Sequence, residues 1–243
     1  MRLDAARKFV AAQGSLAEQA GLRLLINGHA LPQSAIDAVL QGQRADGAWA
    51  PFWAPDYGSF DATCYRLAQA HSIGIGSDHV QIQEALGFIL QGQREDGHWE
   101  EDQRIAEVAP PWAAPGELAS TLYLTANCGW WIGLHHAGAK QAQRSGAFLE
   151  PYLNDEGKLP SFANSHWLAA GLWLKLGWRD KAELVMSYLS SRRTGRGRPL
   201  LANDRIARRG AIAKSSTNRE GRSSAGKSPT RRWRLDHRGS FRQ

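Results

Sequence analysis

The sequence predicts an all-α protein built from repeated helical hairpins, and three observations carry that expectation. The string Leu40-Gln41-Gly42-Gln43-Arg44-Ala45-Asp46-Gly47-Ala48-Trp49 returns 50 residues later as Leu90-Gln91-Gly92-Gln93-Arg94-Glu95-Asp96-Gly97-His98-Trp99, identical at eight of ten positions. Around these strings apolar residues recur every three to four positions, the period of a helix buried on one side. No segment sustains the period-two alternation of Val, Ile, Thr and aromatic residues that a half-buried strand needs. Self-similarity at a fixed period with helical patterning is the signature of a repeat architecture.

The elements follow in order. A first helix is expected over 3–12 and a second over 16–26, separated by Gln13-Gly14-Ser15. After the first string, Phe60, Thr63, Cys64, Leu67, Ala68 and His71 fall on one face of a helix. Ile82, Ala85, Leu86, Ile89 and Leu90 form the next stripe, which ends at a Gln-Arg-x-Asp-Gly turn. There Gly97 supplies the left-handed residue that stops a helix. Gln93 is placed to bond free backbone groups of a neighbouring helix, and Trp99 to cover the junction. Leu118, Thr121, Leu122, Thr125 and Ala126 repeat the pattern. A weaker third copy, Phe148-Leu149 through Asp155-Glu156-Gly157, matches Phe88-Ile89 through Glu95-Asp96-Gly97 but lacks the Gln and the Trp. Trp167, Leu168, Gly171, Leu172 and Leu176 continue the series, and a last helix spans 180–191. About eight helices, paired as hairpins, are expected.

The charge divides the chain. The 243 residues carry a formal net charge of +7, but residues 192–243 hold 16 Lys and Arg against 3 Asp and Glu. The rest holds 14 basic and 20 acidic residues, so an acidic body (1–191) precedes a strongly basic segment (192–243). The basic segment has two aromatics, Trp233 and Phe241, and many Ser and Gly, a composition expected to stay disordered. It reads as an arm for RNA or DNA, as a solvated appendage, or as shifted-frame text of GC-rich DNA; in the last case further repeats would follow the body. No apolar run approaches the roughly 20 residues of a spanning helix. The first residues lack the apolar core of a secretory signal, and two cysteines make no disulfide framework, so a cytoplasmic location is expected.

Gln43-x-x-x-Gly47-x-Trp49 and Gln93-x-x-x-Gly97-x-Trp99 resemble the Q-W repeat of squalene and oxidosqualene cyclases, and more loosely the repeat of protein prenyltransferase β subunits. Phe88-Ile89 matches the aromatic–aliphatic pair ahead of the motif; Ala38-Val39 matches only its aliphatic half. The pattern covers roughly residues 1–190. The resemblance implies an (α/α) barrel or toroid, here partial, whose inner helices line a cavity and whose Q-W elements tie outer helices together.

The resemblance also frames the site. A cyclase of this type protonates an alkene with an aspartic acid in a D-x-D-D-T-A motif. The local match is Ser59-Phe60-Asp61-Ala62-Thr63-Cys64, with Asp61 at the acid position and the flanking acids replaced by Ser59 and Ala62. The simpler reading is that Asp61 caps or begins the helix after it. A prenyltransferase zinc set needs Asp and Cys two apart, whereas Asp61 and Cys64 are three apart. His135 and His136 are adjacent and point apart on a helix, so no metal and no cofactor are expected. Cys64 and Cys128 read as small buried hydrophobes, and His71 and His166 as core-edge residues. Trp130, Trp167 and Trp173 either line a cavity or fill helix packing. The loops 50–59 and 100–116 are irregular, a rim or lid, and Asp56-Tyr57 and Glu100-Glu101-Asp102 within them read as a solvated face, with a binding edge as the alternative. The function expected first is binding of an apolar or isoprenoid-like ligand, or a partner, without catalysis. A terpenoid cyclase or prenyltransferase-related enzyme using Asp61 as acid is the alternative, and nucleic-acid association through the basic segment the second.

Overall fold

The computed structural model describes residues 3–28, 31–136 and 138–194, and the backbone of 234–235 and 241–242. The chain divides into two compact units, Met1–Leu201 and Ala202–Gln243. Among the described residues of the first unit, nine α-helices occur: α1 (Leu3–Gln13), α2 (Leu16–Asn27), α3 (Gln33–Leu40), α4 (Phe60–Ser72), α5 (Val80–Gln91), α6 (Leu118–Leu134), α7 (Ala139–Leu149), α8 (Ala163–Lys175) and α9 (Arg179–Thr194). In the second unit 234–235 pair antiparallel with 241–242. Of the segment 192–243 expected to be disordered, 192–194 instead close α9, and apart from those two pairs the rest lies outside the described residues.

Local chemistry sets the helix ends. Ser15 accepts from the Glu18 N–H while Glu18 accepts from the Ser15 N–H, a complete capping box opening α2. Gly28 closes that helix in the left-handed conformation. The start of α4 is capped by Ser59, whose hydroxyl accepts from the Ala62 N–H. Asp61 therefore lies inside the first turn and is not the cap.

The helices form two layers. In one, α6 lies between α4 and α8; in the other, α5, α7 and α9 pack against their backs. Eleven of the 17 residues of α6 are buried, as a helix packed against α4, α5, α7 and α8 requires. The sequence stripes need rotating. On α4 the buried side is Thr63, Cys64, Leu67 and Ala70, with Ala68 and His71 exposed. On α8 it is Ser165, His166, Ala169, Ala170, Leu172 and Trp173, so Trp167 faces outward. Leu118, in the first turn of α6, is also exposed.

The repeated strings build the joints between successive hairpins. Gln43 Nε2 donates to the Gly47 carbonyl (2.9 Å) and to the Gln81 carbonyl at the start of α5 (2.8 Å). Gln93 does the same to Gly97 (3.0 Å) and to Gln141 in α7 (2.9 Å). The Trp49 and Trp99 indoles donate to the carbonyls of Gln41, just past α3, and Ile89, in the last turn of α5, which also accepts the Gly92 N–H. Their own backbone N–H groups go to Thr63 and Thr125 hydroxyls on α4 and α6. The third joint keeps the backbone and exchanges the side chains. Asn154 and Gly157 repeat the turn of Arg44–Gly47 and Arg94–Gly97, and the Leu159 N–H goes to His166 Nε2 (3.0 Å). Trp173, from α8, supplies the indole that donates to Gly146 of α7.

Candidate functional site

Asp61 sits in the first turn of α4, largely buried, with both carboxylate oxygens engaged. The Tyr123 hydroxyl of α6 donates to Oδ1 at 2.8 Å, and the Trp112 indole of the 100–116 loop donates to Oδ2 at 2.9 Å. Burial pushes the Asp61 carboxyl above its ordinary range, while the two donors pull the other way.

The Tyr123 bond is the last of a directed series. Trp131 Nε1 donates to Asn127 Oδ1 (3.1 Å), and Asn127 Nδ2 donates to the Tyr123 oxygen (3.3 Å). Every donor points toward Asp61, so the negative charge ends the chain. Residues 123, 127, 131 and 135 are four apart and share one side of α6. At the far end the Trp131 ring stacks on His135 at 6.0 Å, and His71 of α4 meets both rings edge-on. Burial and the neighbouring His71 hold the His135 imidazole below its usual range.

A second buried carboxylate braces the first. Glu101 is 1% exposed. Its Oε1 accepts from Ser59 Oγ (2.6 Å) and the Asp61 N–H (3.1 Å), and its Oε2 from the Tyr57 hydroxyl (2.9 Å) and the Phe60 N–H (3.3 Å). It caps α4 from outside the helix, where backbone N–H groups and the helix dipole favour a negative charge. Burial nonetheless pushes its carboxyl up. Glu101 was expected on a solvated face, and the structure corrects that: its partners lie about 40 residues upstream in the chain, outside any local pattern. Tyr57, from the 50–59 loop, also accepts from the Asp102 N–H, so the two irregular loops are bonded to each other at this point.

The tryptophans separate. Trp173 is fully buried between α7 and α8 and packs, so it lines nothing open. Trp130 rests on Gly171 of α8, where any side chain would meet its ring. Trp167 is 44% exposed, and Leu174, seven residues on, is 60% exposed on the same face of α8. Tyr65 of α4 is 62% exposed. The layer α4–α6–α8 thus presents Tyr65, Trp130, Trp167 and Leu174 on its less buried faces. Gln43, Gly47, Trp49, Gln93, Gly97 and Trp99 all serve the joints.

Among the described residues no group of three or more His, Cys, Asp or Glu is arranged to hold a metal ion. None of their helices is long and apolar enough to cross a membrane. Sequence reasoning missed Glu101, Tyr123, Asn127 and Trp112; the four-residue spacing 123–127–131–135 was the one available signal. No protein-family model matches the chain, and searches of curated proteins and of solved structures returned no match.

Proposed function

We propose that the two helical layers are an arc of an (α/α) toroid of the Q-W type, and that the protein binds an apolar, isoprenoid-like molecule along α4, α6 and α8. The observation that supports this is that helices carrying the exposed rings of Tyr65 and Trp167 and the half-buried Trp130 also carry, on α4, a carboxylate, Asp61, held by Tyr123 and Trp112. Apolar and aromatic surface supplies affinity by leaving water, and one fixed polar group orients the ligand. Asp61 is the polar anchor, for a hydroxyl or a cationic group.

The enzyme reading assigns Asp61 the role of proton donor. Its raised proton affinity favours that, but the Tyr123 and Trp112 donors stabilise the ionised form and so oppose it. Binding is therefore the stronger reading. The test is titration of tryptophan fluorescence with prenyl alcohols of increasing length, repeated with Asp61→Asn. Saturable quenching that tightens with chain length and weakens at least about tenfold in the variant, a loss of roughly 1.4 kcal/mol, supports the anchor role. Absence of saturable binding in the wild type rejects it. Conversion of a linear polyene to cyclic product, lost in Asp61→Asn, would establish the enzyme reading instead.

A further inference from the structure

The only two cysteines of the chain, Cys64 on α4 and Cys128 on α6, are both buried and free, with their Sγ atoms 3.7 Å apart. A disulfide bond is about 2.05 Å long, so the two sulfurs need to approach by about 1.7 Å to be joined. They are 64 residues apart in sequence, and the fold alone makes them neighbours. Cys64 is one turn from Asp61 on α4, and Cys128 directly follows Asn127 on α6. A bond between them fastens the same two helices that the Asp61–Tyr123 hydrogen bond joins.

We infer that Cys64 and Cys128 form an oxidation-dependent disulfide that locks α4 to α6 beside Asp61. The inference stands on the geometry of the thiol pair and does not depend on the ligand reading. With oxidised glutathione as oxidant, one cysteine thiolate attacks the glutathione disulfide and releases one glutathione thiolate. The second cysteine then attacks the mixed disulfide and releases the other. Two protein thiols and one oxidised glutathione become one protein disulfide and two reduced glutathiones. Burial holds both thiols protonated, so exchange proceeds through transient opening of the α4–α6 seam. Once formed, the bond closes a long loop and raises the unfolding midpoint.

The experiment equilibrates the full-length chain with glutathione redox buffers, folded and in denaturant. Each sample is then quenched, alkylated under denaturing conditions and weighed intact. The expected product from the folded chain has lost both thiol hydrogens, takes up no alkylating agent and regains two thiols on reduction. Its equilibrium constant against glutathione exceeds that of the unfolded chain by at least about tenfold, because the fold holds the sulfurs together. Two alkylatable thiols after equilibration of the folded chain overturn the inference. So does a persistent single glutathione adduct, or an equilibrium constant no higher than in the unfolded chain.

Discussion

At the third joint an imidazole does what a threonine hydroxyl does at the other two. His166 Nε2 accepts the Leu159 N–H, and its Nδ1 lies 2.9 Å from the Phe162 carbonyl, so the ring is neutral with the proton on Nδ1. Burial pushes its pKa below the usual value, and the charges of Lys158 and Arg192 push it the same way. The Tyr188 ring of α9 stacks over it at 5.1 Å. The unfolded chain therefore takes up a proton at His166 near pH 6.5, and the folded chain only at lower pH. Stability from this group is fully present above about pH 6.5 and is lost as pH falls toward the depressed folded value. Asp61 and Glu101 have the opposite sign: their raised folded pKa values add stability as pH falls through them. The difference between wild type and His166→Gln isolates the histidine. Urea midpoints at pH 7.5 and pH 5.5 are expected to show a larger acid loss in the wild type than in the variant. Equal losses would mean His166 does not titrate in this window. Glu101→Ala, by contrast, strips the acceptor from four donors. At about 1–3 kcal/mol for each donor left buried and unpaired, a loss exceeding about 3 kcal/mol is expected at any pH between 6 and 8.

Between residues and helices the joint turns decide how closely α5, α7 and α9 approach the hairpin before them. Gly47, Gly97 and Gly157 all have positive φ, and a Cβ on Gly97 would sit 2.6 Å from the Arg144 carbonyl oxygen of α7. Backbone cannot move aside as a side-chain end can. Gly97→Ala is expected to cost more than about 2 kcal/mol, combining left-handed strain with the clash. Gly87, inside α5, has open space where a Cβ would stand, with nothing within 4 Å. Gly87→Ala is expected to stabilise by about 0.5–1 kcal/mol through helix propensity. Chemical denaturation of the two variants reads this contrast directly, and a Gly97→Ala protein as stable as wild type would contradict the joint geometry. The first two joints were legible because near-identical strings carry the Gln, the glycine turn and the Trp within ten residues, although their partners Thr63, Thr125, Gln81 and Gln141 lie outside. The third kept only its glycine turn, since His166 and Trp173 enter from α8 and no local string announces them. Asp61 was legible as a position but not as a site. Its partners Tyr123 and Trp112 are 62 and 51 residues away, and only tertiary packing brings them there. Helix faces were misjudged by a fraction of a turn, because periodicity locates an apolar stripe but not the neighbours that bury Ser165 and His166 and leave Trp167 out.

For the whole molecule, the charge changes sign at 191/192 and the compact units divide at 201/202, so the end of the folded body lies near α9 and is testable. The positive charge belongs to residues 192–243, which outweigh an acidic body, and the last described helix of the body is α9. In a stack of repeats each element is stabilised mainly by its neighbours, so loss of a terminal helix weakens the array in proportion to what it buries. Ala182, Val185 and Leu189 of α9 are each less than 5% exposed, and α9 packs along α8. Burial of a Val or Leu side chain is worth about 1.5–3 kcal/mol, so removal of α9 withdraws several kcal/mol from the last hairpin alone. It also exposes the His166 joint, whose imidazole is covered by Tyr188. Two truncations therefore have opposite expected outcomes. A chain ending at Thr194 keeps every buried residue among the described residues of the body, reverses its net charge, and is expected to melt at the midpoint of the full chain. A chain ending at Gly177 is expected to melt lower and less cooperatively, with loss of circular dichroism exceeding that of the missing 17 residues of sequence (178–194). If removing 195–243 lowered the midpoint as much as removing α9 as well, the basic segment would be part of the folded body and the boundary would lie elsewhere. If the chain ending at Thr194 instead lost a salt-sensitive affinity for RNA that the full chain possesses, the segment would be a polyanion-binding arm carried by an independent fold.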